Sequence, residues 1–205
     1  MRFRYSAVAL ACLVAALPLF WLGPVRSQEK PLREPDVIYV PTPQEVVEKM
    51  LEMADVRPGE VVYDLGCGDG RIPVTASKKY GVRSWGFDIN PARVKESLEN
   101  VDKNHVKHLC TIKLQDIFEL DLSKADVITL YLLPQLNVKL VPQLDKLKPG
   151  CRIVSHDFDM KGVRPKREIT YSPQGGREHR IYLWITPLEK ESEAPGAAQQ
   201  PRGRG

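Results

Sequence analysis

The sequence is poor in the features that commit a chain to metal or nucleic-acid work. Its 205 residues hold four cysteines and four histidines. Cys12, Cys67, Cys110 and Cys151 lie far apart, without a C-x-x-C pair or a Cys/His group at ligand spacing. A metal centre is therefore not expected. Unpaired thiols also sit poorly with a strongly oxidising compartment. No internal repeat is present, which excludes solenoids and propellers. A basic excess is missing too. The net charge of +4 includes three arginines within residues 1–27, where there are no acids, so the remainder carries 27 basic against 26 acidic residues. A nucleic-acid partner is not expected from such a balance.

What the chain does have begins at the N-terminus. Arg2 and Arg4 precede an apolar run over residues 7–22, followed by Gly23, Pro24 and the small Ser27. This is the layout of a secretory signal cleaved before Gln28, or of an uncleaved membrane anchor. The run is slightly long for a signal core and slightly short for a span, with Pro18 inside it. Both readings place the protein at or beyond a membrane, with the side open. Residues 28–43, broken by Pro31, Pro35, Pro41 and Pro43, read as an extended linker; residues 44–187 form the folded domain; residues 188–205, rich in Glu, Ala, Gln, Pro and Gly, read as a disordered tail.

Within the domain, apolar residues recur with helical spacing at Val46, Val47, Met50, Leu51 and Ala54, after a Thr42-Pro43 start signal. Strands follow at 61–65, 82–89, 110–115, 127–132 and 151–156, alternating with helices at 72–80, 91–104 and about 135–147, the second with Val94, Leu98 and Val101 along one face. Alternation of this kind predicts a parallel sheet covered on both faces. Two more strands, at 166–171 and 179–186 around Pro173, Gly175 and Gly176, read as a closing hairpin.

One motif stands out. The apolar strand at Val61 runs into Asp64-Leu65-Gly66-Cys67-Gly68-Asp69-Gly70-Arg71. Glycines at 66, 68 and 70 allow positive φ and let backbone N–H groups approach a ligand. A dinucleotide site would need G-x-G-x-x-G, and Arg71 occupies the third-glycine position.

The D-x-G-x-G-x-G order, in this strand and helix context, resembles the first motif of class I S-adenosylmethionine (SAM) dependent methyltransferases. That resemblance covers residues 37–186 and implies a Rossmann-like α/β sheet, mostly parallel with a C-terminal antiparallel hairpin, in the order 3-2-1-4-5-7-6. The helix such folds place after strand five is short or missing here. It implies SAM as cofactor, with Gly66, Gly68 and Gly70 wrapping its methionine end and Asp64 holding its amino group. Asp88, at the end of strand two, is implied to take the ribose hydroxyls, a task its spacing from the glycine loop suits. Asp116 and Ile117 are implied to meet the adenine. Tyr39 and Thr42 sit where related enzymes close a segment over the cofactor. Helix caps and turns remain the alternative for Asp116 and Thr42.

For the acceptor, Tyr131-Leu132-Leu133-Pro134-Gln135 stands where enzymes acting on base amines or amides carry Asn/Asp-Pro-Pro-aromatic. That departure disfavours those acceptors. An apolar lip with Tyr131 suits a lysine ε-amine, whose pKa of ~10.4 falls on desolvation. Tyr131, His156 and Asp157 are the candidate catalytic residues, a polar loop capping the sheet being the alternative for the latter two. The N-terminal segment, the glycine motif and the apolar leader together resemble the lysine methyltransferases that act on the ATP synthase C-subunit and on the adenine nucleotide translocase. A lysine on a membrane protein is the leading acceptor. The alternatives are a small molecule such as a quinone or lipid precursor, or a membrane-tethered adenosine-ligand-binding module without catalysis.

Overall fold

Seven strands form one sheet in the order β3-β2-β1-β4-β5-β7-β6. They are β1 (Val61–Leu65), β2 (Arg83–Asp88), β3 (Cys110–Leu114), β4 (Val127–Leu130), β5 (Arg152–His156), β6 (Arg167–Tyr171) and β7 (His179–Ile185). The computed structural model describes residues 38–191. The leader at 1–27, the start of the linker and the tail beyond 191 lie outside the described residues. β1 pairs in parallel with β2 and with β4, and β7 runs antiparallel between β5 and β6. The expected sheet order is the one observed.

Period-2 alternation sends neighbouring side chains to opposite faces. Val62, Val127 and Val154 join Ile181 and Leu183 under helix α1 (Gln44–Met53) and helix α2 (Arg71–Tyr80). Tyr63, Leu65, Ile128, Leu130 and Ile153 join Tyr182 and Trp184 under helix α4 (Pro134–Leu144). Helix α3 (Pro91–Lys103) packs beside α2, where Val101 meets Val74, Val106 and Cys110. α2 stops where Gly81 adopts φ 68°, a left-handed C-cap that glycine takes without Cβ strain. α3 starts at Asn90, whose side chain accepts from the Ala92 N–H, with Pro91 in the first turn.

Four local expectations need correction. Leu98, expected on the inner face of α3, is exposed and Ser97 is the buried residue, because Ser97 turns its hydroxyl to the glycine loop. Thr42 does not cap α1. Pro43 holds that position without a side-chain cap bond, and Thr42 Oγ1 pairs with His156 instead. Strand four ends at Leu130, two residues earlier than its apolar run suggests, which leaves Tyr131 and Leu132 beyond its carboxyl end. Residues 188–191, expected as the start of the tail, are pinned to the loop after β5: the Arg164 N–H donates to Glu189 O (2.8 Å) and the Glu191 N–H to Gly162 O (3.0 Å). Among the described residues no regular helix lies between β5 and β6, in line with the expected departure.

Candidate functional site

β1 and β4 are neighbours whose chain connections leave in opposite directions, and a crevice opens beyond the carboxyl ends of strands at such a point. A cavity of about 410 Å³ lies there. Tyr39, Thr42, Asp64, Gly66, Asp88, Ile117 and Tyr131 line it, all of them expected from sequence. Cys67, Asp69, Arg71, Arg93, Leu136 and Phe158 line it as well, and sequence reasoning does not single them out as site residues. Gly68, Gly70 and Asp116, also expected from sequence, are not among its lining residues.

The glycine loop is held by its own backbone and by α3. Gly66 N–H and Cys67 N–H both donate to Phe87 O at 2.9 Å, and Gly70 N–H donates to Cys67 O at 2.8 Å. Ser97 Oγ donates to Gly68 O at 2.7 Å and Asn100 Nδ2 to Asp69 O at 3.1 Å. At Gly68 (φ 55°) a Cβ would collide with the Tyr39 ring, and at Gly70 (φ 76°) it would stand 2.9 Å from Ser97 Oγ. Both positions therefore need glycine for conformation and for space.

Two carboxylates face the cavity in different states. Thr129 Oγ1 donates to Asp64 Oδ1 at 2.6 Å, whereas Asp64 Oδ2 is buried without a protein partner. Burial pushes the Asp64 carboxyl up to about 7, with Asp88 and Asp69 adding to the rise and the Thr129 bond opposing it. A lone buried acceptor of this kind is costly unless a donor meets it. Asp88 is differently placed: Oδ2 accepts from Gly68 N–H and Oδ1 from Asn90 N–H, both at 2.9 Å. Burial still raises its pKa, with those two bonds opposing. Each oxygen keeps a lone pair for a hydroxyl donor.

A strap closes one side. Arg71 grips Asp69 through Nε and Nη2 and donates from Nη1 to Thr42 O at 2.8 Å. Burial raises Asp69, but the Arg71 bonds and charge outweigh it and hold the carboxyl below its ordinary range. The Tyr39 ring lies over Gly68, with the Arg93 guanidinium 4.8 Å from its centroid. Burial and the nearby Asp69 charge push its phenol up to about 12. Asp116 caps the short turn over Ile117–Glu119, its Oδ1 accepting from Phe118 N–H at 3.0 Å.

Of the three candidate catalytic residues, Tyr131 reaches the cavity, where its ring stacks 5.9 Å from Phe158. His156 and Asp157 do not line it. His156 is fully buried behind Tyr131, 4.0 Å away ring to ring, with both nitrogens engaged by Thr42 and His179. Burial lowers its pKa to about 4 despite the Asp157 charge, so it is neutral near pH 7. Asp157 pairs with Arg177. As placed, neither can touch a molecule in the cavity.

The partnerless Asp64 oxygen, the left-handed glycines and the volume of the crevice fit an amino-acid nucleoside such as SAM. Comparison with known proteins agrees. The model of the ANTKMT methyltransferase domain family matches residues 64–167. A protein-lysine N-methyltransferase of Saccharolobus islandicus (strain REY15A) is 46% identical over 74% of this chain and 94% of its own length. The lysine N-methyltransferase of the ATP synthase C-subunit from Xenopus laevis is 30% identical over 62% of this chain, which spans 56% of that relative. A crystal structure described as an RNA methyltransferase from Salinibacter ruber, in complex with S-adenosyl-L-homocysteine, superposes with a TM-score of 0.68 at 44% identity, covering 75% of this chain and 98% of that one.

Proposed function

The chain belongs to the ANTKMT methyltransferase domain family, and from that premise we propose that this SAM-dependent methyltransferase acts on the ε-amine of a protein lysine. The observation that carries the acceptor assignment is the apolar wall that follows β4. Tyr131, Leu132, Leu133, Leu136 and Phe158 make that side of the cavity apolar and aromatic. A lysine side chain can lay its four methylenes along such a wall while its amine loses water. Desolvation favours the neutral amine, the form able to attack a methyl group. A planar base amine would call for polar groups at its edge. Leu133-Pro134-Gln135 supplies an apolar residue where such enzymes carry Asn or Asp. The names of the Saccharolobus and Xenopus relatives point the same way.

The cofactor brings an activated methyl group; the chain supplies grip and alignment. In this reading Asp64 Oδ2 accepts from the amino group of SAM, and the loop from Gly66 to Gly70 accommodates its methionine end. Asp88 accepts from the ribose hydroxyls and the Ile117 backbone meets the adenine. The strap from Tyr39 to Thr42 shuts the crevice. Tyr131 and Phe158, whose rings stack at the cavity, would orient the acceptor amine toward the bound cofactor. Among the described residues no histidine lines the cavity, and in this reading the methylated amine gives its proton to solvent.

We assign the apolar leader at 7–22 the task of bringing the domain to a membrane that carries the acceptor. Among the described residues no helix is long and apolar enough to span one. The reading is supported by the leader's sequence alone, and mass spectrometry of the mature N-terminus tests it. Full-length protein incubated with methyl-labelled SAM and separated membrane and soluble extracts tests the rest. Label recovered as methyl-lysine from membrane protein is expected. Label recovered in RNA or in the organic-soluble fraction instead would overturn the lysine assignment.

A further inference from the structure

Three donor atoms from distant parts of the chain converge behind the Tyr131 ring. His156 Nε2 and His179 Nδ1 are 2.7 Å apart, and Asp157 Oδ2 lies 3.4 Å from the first and 3.7 Å from the second. β5 ends at His156, β7 begins at His179, and the antiparallel pairing of these strands aligns their ends. Asp157 follows directly in a left-handed conformation (φ 59°) that turns its carboxylate back toward the imidazoles. Both histidines are buried and the aspartate nearly so.

From this arrangement we propose that His156, Asp157 and His179 form a binding site for one divalent transition ion, zinc or a close analogue. Two imidazoles and a carboxylate are a donor set suited to such ions. Ligand atoms around a tetrahedral zinc stand about 3.3 Å apart when each bond is about 2.0–2.1 Å long. The three observed separations bracket that value. Insertion requires the imidazole pair to give up its hydrogen bond and open by about 0.6 Å, and the Arg177 guanidinium to leave Asp157. Arg177 is free to do so, because its side chain is 59% exposed.

The surrounding groups already orient the ligands, as outer partners do at metal sites. Thr42 Oγ1 is 3.0 Å from His156 Nδ1, so that nitrogen can donate there and turn Nε2 toward the ion. The Arg180 N–H donates to Asp157 Oδ1 at 3.0 Å and leaves Oδ2 for the ion. The proton balance closes simply. Each coordinated imidazole is neutral and keeps one N–H, on His156 Nδ1 and on His179 Nε2. One coordination position remains for water. Such an ion would clip β5 to β7 and, through Thr42, fix the strap whose carbonyl Arg71 holds.

Titration of the untagged full-length protein with cobalt(II), followed by zinc displacement, tests the proposal. Cobalt in a low-symmetry N/O site of four ligands absorbs strongly in the visible, whereas the hydrated ion barely does. One equivalent of intense colour, displaced by one equivalent of zinc, is expected. His179→Gln and Asp157→Asn should each weaken cobalt binding at least tenfold, whereas His108→Gln should not; Asp157→Asn keeps the residue's shape and a side chain that tolerates positive φ. Colour absent from the wild-type protein, or retained with equal affinity in a folded Asp157→Asn variant, overturns the assignment. These readouts do not involve methyl transfer and stand whatever the acceptor proves to be.

Discussion

Thr129 on β4 donates to Asp64 on β1 through a 2.6 Å bond that occupies one carboxylate oxygen and leaves its twin, Oδ2, buried and unmet. The neighbouring strands thus present half a carboxylate to the crevice. With its pKa held at about 7 by burial, Asp64 is largely neutral at pH 6 and largely ionised at pH 8. An ammonium group prefers the ionised form. Affinity for S-adenosylhomocysteine should therefore climb by up to about tenfold per pH unit below 7 and level off above it. The sign for the unliganded chain is opposite: a carboxyl whose folded pKa exceeds its ordinary value loses its stabilising contribution as pH rises toward 7. Calorimetric titration across pH 5.5–8.5 reads the first effect. Thr129→Val, which removes the bond that lowers the Asp64 pKa, should move the midpoint to higher pH. Asp64→Asn should abolish the pH dependence and weaken binding by roughly tenfold or more.

Ser97 and Leu98 make a paired test of how α3 meets the sheet. Ser97 is fully buried with its hydroxyl on Gly68 O, and Leu98 is 45% exposed. Ser97→Ala would strand that carbonyl and is expected to destabilise the fold by about 1–3 kcal/mol in urea denaturation. Leu98→Ala should change stability by less than about 0.5 kcal/mol. Equal losses would mean that the helix turns a different face to the glycine loop.

This pair also shows where sequence reading reaches and where it stops. The strands, the glycine turn and the acidic residues at the strand ends are local patterns, carried by period-2 alternation, by Gly66-x-Gly68-x-Gly70 and by Asp64 and Asp88, and they are legible. The side of α3 that faces inward is not. A serine beats a leucine there because a backbone carbonyl from a loop 29 residues away needs a donor. Thr42 illustrates the same limit over a longer range. Its local context reads as a helix cap, and its partner, His156, is 114 residues away. His179 has no local signal at all, since only the β5–β7 pairing brings it to His156. Phe158 escapes notice for a related reason: the strand ends two residues before it, and only the folded loop turns its ring to Tyr131.

Arg71 joins the glycine loop to the strap, through Asp69 on one side and Thr42 O on the other. Lysine offers one ammonium where these contacts need a planar fork with several donors. Arg71→Lys is expected to raise KM for SAM several-fold while leaving kcat within about twofold, because the strap is loosened and the reacting groups are not touched. Steady-state kinetics with SAM varied at saturating acceptor would show it. A fall in kcat with KM unchanged would place Arg71 in the chemistry instead of in the closure.

Tyr131 separates two ways in which an aromatic residue could serve the acceptor. Burial, together with the Asp157 charge, raises its phenol above the ordinary value, so the hydroxyl keeps its proton near pH 7 and is no base. Its ring, stacked with Phe158 against the cavity, is then the part that matters. Tyr131→Phe keeps that ring and is expected to retain kcat within about threefold. Tyr131→Ala removes the surface along which the acceptor's methylenes lie, and acceptor KM should rise about tenfold or more, in line with the ~1.5–3 kcal/mol that contact with one large apolar side chain can supply. Measuring both variants with a lysine-bearing acceptor at saturating SAM decides the matter. Loss of kcat in Tyr131→Phe by more than about a hundredfold would show that the hydroxyl handles the proton, and the aromatic wall would no longer explain how the amine becomes a nucleophile.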